Sequence, residues 1–136
     1  MEVSKNHLYR VKRLGLKLVF GKHAEQYKYV YDYAESLVTW NPGSCVKIAR
    51  NGVFFERMYV RLDACKRGFL SRCRPMISVD GCHLKGPLGG QLLCAVAKDA
   101  NDDVYPLAVG IVEIECRASW TWFLSLLLED MSDDDL

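Results

Sequence analysis

An aspartate closes the apolar run Met76-Ile77-Ser78-Val79 in the stretch MISVDGCHLKGPLGGQ, residues 76–91. Carboxylates are depleted from strands and are rarely buried without a partner, so Asp80 needs a reason. At a strand end it can ligate a divalent cation; followed by Gly81, it can equally be a turn residue. Other groups with usable chemistry are few. Glu113 and Glu115 follow a later apolar run, and Glu113 either faces Asp80 across a sheet as a second ligand or marks a solvated strand end. His83 can orient a metal-bound water or simply sit half-buried on its strand. Asp99 and Asn101 suit a turn. Trp120 and Trp122 suit core and rim packing better than a base-stacking platform.

The six cysteines form no CxxC pair and the three histidines have no ligand spacing, which argues against a structural zinc site and for free thiols in a reducing compartment. The charge is divided. Residues 1–75 carry 15 bases and 6 acids, a net +9, whereas residues 76–136 carry 3 bases and 11 acids, a net −8. A basic half suits a polyanion such as DNA, although the two halves can also attract each other. The phosphate-contact candidates are Arg10, Lys12, Arg13 and Lys17, with Lys22 and Lys28 beyond them. No apolar stretch approaches the ~20 residues that span a bilayer, and the N-terminus has no secretory signal pattern.

The elements that position these groups follow from periodicity. Leu8, Val11, Leu14, Leu18 and Val19 have helical spacing within residues 6–20, and a second helix is expected over 23–38, ending before Asn41-Pro42-Gly43. Together they predict a basic antiparallel helical hairpin. Two β-rich runs, 45–50 and 53–62, flank Asn51-Gly52, a pair suited to a type I′ turn. Asp63 can cap a short helix over 64–70. Strands are then expected over 76–83, 91–98 and 104–113, the last admitting Pro106 near its beginning. Ser119 can cap a helix reaching residue 129.

Three meandering strands and a helix are how a ribonuclease H-like domain begins. The segments RMYVRLDACKRGF, DGCHLKG, GGQLL and SWTWFL, taken together, closely resemble the Mutator-like element (MULE) transposases of plants, over about residues 7–129. The resemblance implies a cut-and-paste DNA transposase with an Asp-Asp-Glu metal triad and Mg²⁺, in which Asp80 matches the first triad carboxylate. Two ions would activate the attacking oxygen and stabilise the leaving one. In that family the second Asp and the Glu lie beyond the Trp-containing helix, past the stretch matched here. Asp130, Asp133, Asp134 and Asp135 do not match the family's next strand.

The expected fold is therefore α+β, with a basic helical and β-hairpin region over 1–75 and the first β-β-β-α part of a ribonuclease H-like domain over 76–136. The expected function is that of a transposase fragment without catalytic activity, binding Mg²⁺ weakly or not at all; the alternative is a non-catalytic module that binds DNA or a full-length transposase. Nuclear location follows from the resemblance. Self-association through an exposed sheet edge is a further expectation.

Overall fold

The computed structural model describes residues 4–20, 28–52, 54–85 and 89–132. Its elements are α1 (Lys5–Phe20), α2 (Val30–Trp40), β1 (Cys45–Asn51), β2 (Phe54–Arg61), α3 (Asp63–Arg72), β3 (Ser78–His83), β4 (Gln91–Lys98), β5 (Val104–Val112) and α4 (Arg117–Ser132). The fold is α+β, built on a five-stranded, wholly antiparallel open sheet in the order β1-β2-β5-β4-β3. The sheet crosses residue 75, because β2 pairs with β5 through Met58–Ile111, Tyr59–Gly110 and Val60–Val109. Among the described residues no helix is long and apolar enough to cross a membrane.

The central strand β4 alternates between two environments, as a strand covered on one face must. Along β4, Gln91, Leu93, Ala95 and Ala97 are buried while Leu92, Cys94 and Val96 are half-buried. The buried face lies under α4: Phe123 packs edge-on against Trp120 at 6.1 Å and against Tyr59 at 5.7 Å. Leu93, Ala95, Leu107, Ala108, Val112 and Leu127 complete this core. A methyl group on Gly110 would lie 2.7 Å from the Phe123 ring, so β5 needs a glycine where the ring sits down on it.

Five sequence expectations need correction. The α1 side chains described, at residues 5–15 and 18, are all exposed, Leu8, Val11 and Leu14 included, so these do not build the shared apolar face of a helical hairpin. The half-buried residues of α2, Val30, Ala34 and Leu37, recur at helical spacing, and α2 packs on β1 instead. Asn51 pairs with Phe54 inside the ladder, and only Gly52 of the expected Asn-Gly pair has a positive φ, 63°, so the turn lies one residue further along than expected. Asp63 begins α3 rather than capping it, because Leu62 takes the cap position and the carboxylate reaches Arg67 one turn on at 2.7 Å. The strand expected over 76–83 begins at Ser78, leaving Met76 exposed before it, and Val79 is exposed because β3 is an outer strand. Ser119 is buried two residues inside α4, and its hydroxyl accepts the Cys116 N–H at 3.0 Å, the inner half of a capping box. The second-helix expectation over 23–27 falls outside the described residues.

Candidate functional site

Asp80 sits in the middle of β3, exposed, opposite Cys94 of β4. Paired residues share a face, so Asp80, Cys94 and Val109 lie on the face opposite to that of Leu93, Gly110 and Phe123. Its Oδ1 accepts the N–H of Gly81 at 2.8 Å. The carboxylate therefore leans along its own backbone.

Glu113 goes elsewhere. It lies four residues beyond Val109, the β5 residue aligned with Asp80, which is roughly 13 Å along the strand and about 10 Å across two strand spacings. There it accepts from Arg57 of β2, Nη2 to Oε1 at 2.6 Å and Nε to Oε2 at 2.9 Å. This charged hydrogen bonding holds the Glu113 carboxyl below its ordinary range. The Arg57 guanidinium also stands 5.8 Å over the Trp122 ring.

The acid that does reach β3 is Glu115. A methyl group on Gly81 would come within 3.2 Å of its carboxylate, and Trp120 Nε1 donates to Glu115 Oε1 at 3.1 Å. Glu115 occupies the α4 side of β3, whereas Asp80 points to the other side. On the α4 side too, Gln91 Nε2 and His83 Nδ1 are 2.5 Å apart. Among the described residues no three His, Cys, Asp or Glu side chains converge as a metal-binding group. The donors among the described residues do not fit a two-ion centre.

The remaining expected groups are accounted for locally. Asp99 Oδ1 accepts the N–H groups of Asn101 (2.8 Å) and Asp103 (3.0 Å), building the β4–β5 turn. Asp130 is gathered into the fold: its carboxylate accepts from Arg61 Nε at 2.6 Å, from Arg61 Nη2 and from the Tyr59 hydroxyl at 3.0 Å, and Lys66 Nζ donates to its carbonyl at 2.7 Å. Burial pushes its carboxyl up, but Arg61, Tyr59 and Lys66 outweigh burial and hold it below the ordinary value. All six thiols are free. The Cys116 thiol, at the start of α4, is lowered by hydrogen bonds from Ser119. Asp133, Asp134 and Asp135 lie outside the described residues.

The basic candidates divide between two elements. Arg10, Lys12 and Arg13 are exposed on α1, and Lys17 falls on the same helix. Residues 4–20 hold five bases and no acid. Lys28 precedes α2, its ammonium 5.3 Å over the Tyr29 ring. Lys22 lies outside the described residues.

A cavity of about 340 Å³ between α3, the link to β3 and the end of α4 is lined by Phe69, Leu70, Cys73, Pro75, Ile77 and Met131. Its lining is largely apolar and brings no acid–base pair together. No family model matches the chain, and neither does any curated protein or solved structure.

Proposed function

We propose that this chain carries the opening of a ribonuclease H-like domain from a Mutator-like DNA transposase and, as this chain, does not cleave DNA. What supports the reading is Asp80 on the outer strand of an antiparallel meander, β3-β4-β5, with α4 following it on one face. The sequence segments around that strand support it independently. The reading is non-catalytic because no carboxylate among the described residues joins Asp80: Arg57 engages Glu113, and Glu115 stands on the other face of β3. In-line phosphoryl chemistry with two metal ions needs ligands from several segments.

Purified protein and its Asp80→Asn variant, incubated with plasmid and linear DNA in Mg²⁺ or Mn²⁺, are expected to leave the DNA intact alike. Metal-dependent cutting that disappears in the variant would refute the non-catalytic reading. The origin is tested separately by the flanking genomic DNA. Terminal inverted repeats are expected there, together with a continuation of the triad in some frame; the lack of both removes the transposase reading.

A second reading, a module that binds DNA or a full-length transposase, is favoured by α1, which presents Lys5, Arg10, Lys12 and Arg13 to solvent with no acid among them. Neutralising four to six phosphates makes DNA affinity fall roughly 10²–10³-fold between 50 and 200 mM salt, with little dependence on sequence. Fluorescence anisotropy on unrelated duplexes measures this. Binding that persists after Arg10, Lys12, Arg13 and Lys17 are all replaced by glutamine would sink the phosphate-contact model.

A further inference from the structure

The two edges of the sheet are finished differently. β1 carries Lys47 and Arg50, and its pairing with β2 is irregular at Ala49/Arg50, where the register skips Glu56 of β2; each discourages strand addition. β3 has no lysine, no proline and no register shift, and Val79 on it is 43% exposed. Leu84 N–H donates to Gly90 O at 3.0 Å, extending the β3–β4 ladder. By antiparallel alternation Cys82, Asp80 and Ser78 then face β4, while Val79, Gly81 and His83 turn their N–H and C=O groups outward. The hydrogen bond from Gly81 N–H to Asp80 Oδ1 fits this assignment, because it engages an outward group with a side chain.

We propose that β3 pairs antiparallel with β3 of a second copy, in the register that sets Cys82 opposite itself. This inference does not depend on the transposase reading. Charge selects both the occupant and the register. A pairing centred on Asp80 would place two carboxylates opposite each other, which is destabilising. One centred on Gly81 would bring together the two Glu115 carboxylates that stand over that residue. Centred on Cys82, Gly81 lies opposite the second copy's His83, so Glu115 meets an imidazole instead of its own copy. Asp80 then lies opposite Leu84, and Val79 opposite Lys85. Gly81 and His83 are both outward-facing residues, so their N–H and C=O groups also match. Asp80 releases the Gly81 N–H, which donates across the new interface.

Sedimentation velocity from low to high micromolar protein is expected to show a reversible dimer, twice the 15.5 kDa chain. Val79→Lys places an ammonium on the edge opposite Lys85 and is expected to weaken the dimer roughly tenfold or more. Oxidation with a diazene, diamide, tests the register on the unaltered fold. Two Cys82 thiols give two protons and two electrons to the diazene, leaving a hydrazine and a Cys82–Cys82 disulfide. The covalent dimer should vanish in Cys82→Ser and persist in Cys94→Ser. A monomer throughout, an association indifferent to a folded Val79→Lys variant, or a covalent dimer that survives Cys82→Ser would each overturn the proposal.

Discussion

Asp130→Ala is expected to lower stability by about 3–5 kcal/mol, seen as a fall in the urea midpoint at unchanged slope. The Arg61 side chain is 5% exposed and the Asp130 side chain 10%, so truncation strands a buried guanidinium that, among the described residues, keeps the Gly43 carbonyl as acceptor, 2.8 Å from Nη1. The Tyr59 hydroxyl loses its acceptor as well. Replacing the pair together, Arg61→Met with Asp130→Leu, should recover most of the loss, because neither member of the pair is then left buried without the other. A single variant costing less than about 1 kcal/mol would refute this account. Acid supplies a second test. Asp130 has a folded pKa below its ordinary 3.8, so its contribution is complete above that value and disappears as pH falls through the folded pKa. Stability of the native protein should therefore drop below about pH 4, and the drop should be shallower in Asp130→Ala.

Phe123→Ala is expected to cost about 3–5 kcal/mol, the range for emptying a buried aromatic site. The ring is fully buried, touches Tyr59 and Trp120, and rests on Gly110 where no side chain intervenes. The same seat should reject extra volume: Gly110→Ala, whose methyl would meet the ring at 2.7 Å, is expected to cost about 1–3 kcal/mol. Because both changes act on one contact, Gly110→Ala combined with Phe123→Leu should cost less than the sum of the two single variants. Strict additivity in urea unfolding would show that ring and glycine do not share the contact described.

The strands and α4 were legible because their signals are local: alternation along residues 91–98, an Asp-rich turn at 99–103 and a helical apolar stripe through Phe123 and Leu127. Sheet order was not. Nothing near Met58 or Ile111 announces that they pair, since the match is made between surfaces far apart in sequence. Arg57 and Arg61 disguised it further, as arginines on a strand suggest a solvated face, whereas Glu113 and Asp130 allow these two to point towards α4. At the candidate site, the strand position of Asp80 could be read. The choice between Glu113 and Glu115 could not, because both follow β5 in a bend where strand parity no longer says which way a side chain faces. The α1 stripe misled in the opposite sense: amphipathic spacing states that a face seeks cover without naming what covers it.

The join between β2 and β5 also bears on how the chain reaches this structure. It consists of three residue pairs, and Met58 precedes its partner Ile111 by 53 positions. The β1–β2 and β4–β5 ladders close over short turns and can form early, but the seam between them must close a long loop for a small number of hydrogen bonds. The closing entropy is offset by the apolar surface that α4 covers at the seam, Tyr59 against Phe123 above all, with Arg57 reaching Glu113 just past β5 and Arg61 reaching Asp130 near the end of α4. The Tyr59–Phe123 contact and the Arg61–Asp130 clasp exist only once α4 has docked. Closure of the seam and docking of the helix are therefore expected to be coupled and to follow the local ladders.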